Sequence, residues 1–239
     1  MTLMLHAGAK PVDYDGLRAL VTPEPTETHV PIPHYRVVDL IAHSLGFFGH
    51  EIVERDFGVT EDGMRFFGVL TLRSPYTGYT DTVGLRNSHD KKFPIGVGFG
   101  SRTFVCDNIA FIADQVIRRK HTTNAKRDLP GLIAELIEPL QLTREKQHRA
   151  FLAYQQTPVT EVQADHGIMS MYREGVINVQ RVAEVDEQWQ RPTFDWGGKT
   201  AWRLFNAATY ALTGRVVENS DATPKLHTII DGMCAPLVA

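Results

Sequence analysis

Glu51-Ile52-Val53-Glu54-Arg55-Asp56-Phe57-Gly58-Val59, Thr60-Glu61-Asp62-Gly63, Met64-Arg65-Phe66-Phe67-Gly68-Val69-Leu70-Thr71-Leu72-Arg73 is the stretch on which the fold turns. The first segment alternates in polarity, with Ile52 as the exception, as a strand with one solvated face does. The second is a turn signal, and the third is a run of β-branched, aromatic and aliphatic residues. The spacing predicts a β-hairpin. Ser74-Pro75-Tyr76-Thr77-Gly78 is a second turn, so Tyr79 to Asn87 reads as a third strand and Gly96 to Cys106 as a fourth.

Outward from this core the periodicity becomes helical. Val37, Leu40, Ile41 and Leu45 have helical spacing and predict a short helix over 36–45, ended by Gly46 and Gly49. Before it, Pro11, Pro23, Pro25, Pro31 and Pro33 mark residues 1–33 as a loose, extended arm. After the fourth strand, Ile109, Ile112, Ala113 and Val116 predict a helix over about 108–120, with Asp107 or Asn108 as its N-cap. Further helices are expected over 132–137, 143–156, 161–173, 179–189 and 198–212, the last closed by Gly214. The fold class is therefore α+β: an antiparallel sheet of about four strands backed by helices, with a mainly helical C-terminal half. The arm over 1–33, a core over 34–127 and a helical part over 128–239 are expected to form one domain.

Composition excludes more than it selects. The chain has 239 residues, 43% hydrophobic and 22% charged, the balance of an ordinary globular protein. No run reaches the roughly 20 apolar residues of a membrane-spanning helix, and Met1 to Lys10 lacks the basic start and apolar core of a signal peptide. Cys106 and Cys234 are too few for a disulfide framework or a four-cysteine zinc site, so both are expected reduced in a cytoplasmic protein. The net charge of −3 is unevenly spread: −6 over residues 1–63, +7 over 64–127 and −4 over 128–239. A basic centre in an acidic chain implies a local anion-binding surface, unless the acidic flanks neutralise it.

The richest stretch is Leu85-Arg86-Asn87-Ser88-His89-Asp90-Lys91-Lys92-Phe93-Pro94-Ile95-Gly96-Val97-Gly98-Phe99-Gly100-Ser101-Arg102. On a strand Gly96, Gly98 and Gly100 share one face with Arg102, and a glycine face admits close approach by a helix of the chain, a ligand or a nucleic-acid backbone. The glycine spacing lies inside a strand and is not a dinucleotide fingerprint. Trp196-Gly197-Gly198-Lys199-Thr200 resembles the end of a phosphate-binding loop, but Thr193 stands where that pattern needs glycine, so it reads as a helix start. The ten histidines show no metal-ligand spacing and read as scattered surface residues; adjacent on a strand, His89 and Asp90 point apart. No catalytic residue, metal site or cofactor is identified.

The candidate nucleic-acid contacts are Arg86, Asn87, Lys91, Lys92, Arg102, Arg118, Arg119, Lys120, Lys126 and Arg127 as a phosphate track, with Tyr79 and Phe99 as stacking platforms beside Tyr76 and Phe93. Cations closing a helix would also be explained by its dipole.

The 85–91 segment, with Gly96 to Asn108 and the later Trp202-Arg203-Leu204-Phe205-Asn206-Ala207-Ala208-Thr209-Tyr210, resembles a family of phage- and plasmid-like proteins of unknown function. That resemblance transfers no activity. The layout of helix, hairpin, further strands and basic helix is similar to the core of Rad- and Red-type single-strand annealing proteins, an analogy of architecture alone. Together they imply a cofactor-free protein of a mobile element that binds and anneals single-stranded DNA, as a homo-oligomer and away from membranes. The alternatives are an accessory protein acting on other proteins, and an enzyme on a nucleotide or phosphorylated small molecule with Arg86, His89 and Lys91 around the phosphate.

Overall fold

In the computed structural model the described residues are 9–76, 79–103, 109–212 and 222–234, with backbone alone over 102, 103 and 109–116. Six strands form one antiparallel sheet in the order β1-β2-β3-β4-β5-β6, each beside its neighbour in sequence: β1 (Lys10–Pro11), β2 (Ile52–Val59), β3 (Arg65–Leu72), β4 (Tyr79–Ser88), β5 (Ile95–Thr103) and β6 (Ile109–Arg119). Eight helices are described: α1 (Tyr14–Ala19), α2 (His34–Phe47), α3 (Ala125–Ile137), α4 (Leu140–Gln156), α5 (Glu161–Arg173), α6 (Val179–Gln190), α7 (Ala201–Ala211) and α8 (Ala222–Asp231). The α+β class and the 51–73 hairpin stand as read from the sequence. The hairpin pairs Phe57 with Gly68 and Val59 with Phe66, with a register shift between Ile52 and Glu54 where the alternation had its exception.

The chain divides into two compact units, Met1–Gly100 with Asp114–Gln141, and Ser101–Ala113 with Leu142–Ala239. In the first, β3 is buried along almost its whole length, so this strand is covered on both faces. Gly68 shows how closely. A Cβ there would meet Phe66 Cζ at 2.8 Å, Phe57 Cδ1 at 3.1 Å and Leu85 Cδ1 at 3.4 Å, all core atoms. Gly68→Ala is therefore expected to cost about 1–3 kcal/mol by overpacking, read as a lower urea midpoint at unchanged slope.

Three sequence expectations are corrected. Residues 109–119 form strand β6, not a helix. Ile109, Ile112, Val116 and Ile117 supply the β-branched content of a strand, and a short apolar run satisfies either period until a neighbouring strand claims it. The expected N-cap residues Asp107 and Asn108 lie outside the described residues. With no basic helix here, the architectural analogy to annealing proteins loses the element that carried it. From residue 9 onward the arm is not loose. Lys10 and Pro11 pair with Val59 and Gly58, Asp13 caps α1 by accepting from Gly16 N at 2.7 Å, and Val30 N donates to His121 O at 2.9 Å. Finally, α3 begins at Ala125 and runs through Pro130, because burial of Leu129, Ile133, Leu136 and Ile137 outweighs one lost amide donor.

The second unit is mainly helical. Thr160 and Gln163 form a capping box on α5, and Asn178 and Thr200 cap α6 and α7. Thr200 thus opens a helix, as the residues around Gly198 implied. Phe151, Tyr154, Trp202, Phe205 and His227 pack ring against ring at its centre. Helix α8 was not anticipated; Pro224 lies in its first turn, where a missing donor costs little.

Candidate functional site

Alternation along β4 sends Arg86 and Asn87 to opposite faces. Asn87 lies opposite Phe66 in the register and is fully buried. Its Nδ2 donates to Ile32 O at 2.8 Å and to His34 Nδ1 at 2.9 Å, and its Oδ1 accepts from His121 Nε2 at 2.7 Å. His34 Nε2 donates to Gly63 O at 3.0 Å, His89 Nε2 to Ile32 O at 2.9 Å and His29 Nε2 to His89 O at 3.1 Å. Ile32 N donates to His121 Nδ1 at 3.1 Å. The rings of His34 and His89 stack at 4.0 Å and 5°, and those of His29 and His121 lie 5.2 Å apart. Carbonyl and amide oxygens accept only, so each of these imidazoles carries a proton on Nε2, and His34 and His121, which accept at Nδ1, are neutral.

These histidines are buried, not scattered on the surface. Proline-flanked Pro31-Ile32-Pro33 exposes the Ile32 amide and carbonyl to side chains instead of a ladder, and the asparagine of β4 ties those groups together. Burial is the first cause that lowers His34 to about 3 and His121 to about 4, and it lowers His89 as well. Asp90 is not a partner of His89. It pairs with Arg65 Nε at 2.7 Å and accepts from Ser88 Oγ, and its Oδ1 lies 3.2 Å from Lys92 N. This Asx turn fixes the β4–β5 loop and places Lys91 in the left-handed region at φ 65°.

That loop forms one wall of a cavity of about 430 Å³, lined by Thr28, His29, Lys91, Lys92, Phe93, Pro94, Lys120, His121 and Thr122. Lys91, Lys92 and Lys120 are exposed, and their ammonium groups have no hydrogen-bond or ion-pair partner among the described residues. Among the described residues no carboxylate lines the cavity. A volume of this size suits a small-molecule or single-residue ligand, and the charge selects an anion. His121 uses both ring nitrogens in the network, so among the described lining residues the imidazole with a ring nitrogen to spare is that of His29.

The remaining predicted contacts are placed as follows. Asn87, Tyr79 and Phe99 are buried, so they are structural groups and not nucleic-acid contacts; Tyr79 stacks on Tyr76. Arg86 lies over Phe93 at 5.3 Å and across Gly96, where a Cβ would meet its Nε at 2.8 Å. At Gly96 the closely approaching group is thus the protein's own guanidinium. Gly98 and Gly100 are buried within β5. Arg119 and Arg127 both bind Asp128, at 2.6 and 2.9 Å, and an acidic neighbour neutralises that part of the track. Arg118 and Lys126 are exposed, whereas the side chain of Arg102 lies outside the described residues. Arg86, His89 and Lys91 do not converge: only Lys91 lines the cavity. Thr28, His29, Pro94, His121 and Thr122 were missed as lining residues, because they come from segments far apart in sequence.

Among the described residues no group of His, Cys, Asp and Glu has the geometry of a metal site, and no helix is long and apolar enough to cross a membrane. Residues 29–224 match a family described as a domain of unknown function (DUF932). No curated protein and no solved structure matches the chain.

Proposed function

We propose, from the premise that the chain belongs to this family of unknown function, that it binds single-stranded DNA by its phosphates, through Lys91, Lys92 and Lys120. The observation that carries the reading is the convergence on one cavity of three lysines that have no partner, and no carboxylate beside them, among the described residues. The half-buried ring of Phe93 in the cavity wall supports a single strand over a duplex, since only an unpaired base offers its face for stacking. In this reading the protein acts without a cofactor, several copies follow one strand, and the setting is recombination in a mobile element.

The test is a salt series of binding to single- and double-stranded oligonucleotides. Single strands are expected to bind more tightly. The log–log salt slope should become shallower by about 0.7 for each rim lysine replaced by alanine. Lys91→Gly separates site from scaffold. Glycine tolerates the left-handed backbone, so stability should stay within about 1 kcal/mol of the parent while affinity falls. Light scattering with and without oligonucleotide reads the stoichiometry. Absence of binding at low salt overturns the reading.

A further inference from the structure

Resting on that phosphate-binding reading, we propose that the cavity takes a phosphate monoester, the end of a strand or a mononucleotide, and that His29 supplies a fourth cation by taking a proton on Nδ1 as the ligand binds. Charge is the first argument. Three lysines face one cavity, whereas an internal phosphodiester carries a single negative charge. A monoester carries about 1.5 to 2 near neutral pH, the better match to a cluster of this charge.

The hydrogen-bond network supplies the second. His34 and His121 each accept at Nδ1, so a proton there would break a bond to Asn87 or to Ile32 N. The Nδ1 of His89 is buried without a partner among the described residues, and a charge there would be desolvated. His29 differs from all three. Its Nε2 donates to His89 O, its ring lines the cavity, and its Nδ1 has no partner among the described residues. A proton taken from solvent at that nitrogen leaves every bond of the network in place. The ring is also held in position: Thr26 Oγ1 accepts from His29 N at 3.2 Å and Thr26 N donates to His29 O at 2.8 Å.

The groups that face His29 are Lys91 and Lys92 from the β4–β5 loop, Lys120 and His121 after β6, and His89 at the end of β4, with Glu27 exposed two residues before it. In the empty cavity the lysines oppose a further positive charge. A doubly charged ligand reverses that balance, so ligand and proton bind together and affinity falls as pH rises through the range where imidazoles titrate.

The experiment is calorimetric titration with inorganic phosphate, a 5′-phosphorylated oligonucleotide and its 5′-hydroxyl counterpart. It is run near pH 6 and near pH 8, in buffers of different ionisation heat. Near pH 6 the phosphorylated strand is expected to bind about tenfold more tightly than the hydroxyl form, as a charge-assisted hydrogen bond provides, with net proton uptake. His29→Gln retains a donor for His89 O and should lose the uptake and the preference. Should that variant fail to fold, nitrogen NMR of the parent replaces it: His29 Nδ1 should become protonated when phosphate is added, and an Nδ1 that stays unprotonated overturns the proposal. Equal affinity for the two strands, or no proton uptake, overturns it while the phosphate-binding reading stands. Failure of every probe to bind overturns both.

Discussion

Replacing Asn87 by leucine, which has the same number of side-chain heavy atoms, is expected to destabilise the protein by about 3–5 kcal/mol. The substitution removes one donor pair and one acceptor at the centre of a buried network. His34 Nδ1 and His121 Nε2 lose their partners, and Ile32 O keeps only His89. Each buried polar group left without a partner costs about 1–3 kcal/mol, so the effect exceeds that of an ordinary core substitution. It should appear as a fall in Tm of roughly 10 °C. A drop of only a degree or two would mean that the rings repack and that the amide is not the hub. Asn87→Asp keeps the shape but exchanges two donated hydrogens for a buried charge, and it should be no better tolerated.

Acid should unfold the first unit well before carboxylate protonation alone would. His34 and His121 are held near 3 and 4 by burial, and His89 is lowered too. The unfolded chain takes up protons on these rings below about pH 6.5, while the folded chain stays neutral down to its depressed values. The unfolded state therefore binds more protons across this window, and stability rises with pH there. Each histidine contributes about 1.4 kcal/mol per pH unit, so His34 and His121 alone give a slope of about 3 kcal/mol per unit from about pH 6 to pH 4, and none above about pH 7. His227, lowered to about 4 by burial in the second unit, acts with the same sign there. Urea midpoints across pH 4–8, an interval set by imidazole titration, measure the slope. A flat profile between about pH 5 and 7 would show that the rings titrate in the folded state as they do in water.

The two expectations share one cause, which also decides the shape of the cavity. The same backbone groups of Ile32 that bond these rings tie the arm to Asn87 of β4 and to His121 after β6, and thereby bring Lys120 toward Lys91 and Lys92. A variant that loosens Asn87 should consequently weaken phosphate binding as well, whereas Lys91→Gly should weaken binding alone.

Much of the architecture was open to a reading of residues alone. The hairpin over 51–73 declared itself because period-2 alternation, a turn signal and β-branched content agree there, and local chemistry suffices when all of these point one way. The helices over 161–173 and 179–189 were legible from residue spacing, whereas their caps Thr160 and Asn178 came only with the structure. The lysines of the β4–β5 loop were legible as cations, since a run of charge beside Pro94 and glycines stays at the surface in any fold.

Residues 109–119 were not legible. Their apolar positions fit both periods, and the choice fell to β5, whose edge offers ladder bonds that an isolated helix would forgo. The histidines were the larger omission. His29, His34, His89 and His121 are spread over almost a hundred residues, with no ligand-like spacing, and a surface location is the ordinary reading of such a set. The sequence by itself determined the α+β class, the basic centre and the place of Lys91 and Lys92 between two strands. Only tertiary structure decided that Arg119 and Arg127 are neutralised by Asp128, that Asn87 is a structural hub, and that three lysines meet around His29. The physical reason is range. Strand and turn preferences act over a few residues, whereas pairing of buried polar groups depends on which distant segments the sheet brings to one end, and hydrogen-bond satisfaction then leaves a single arrangement.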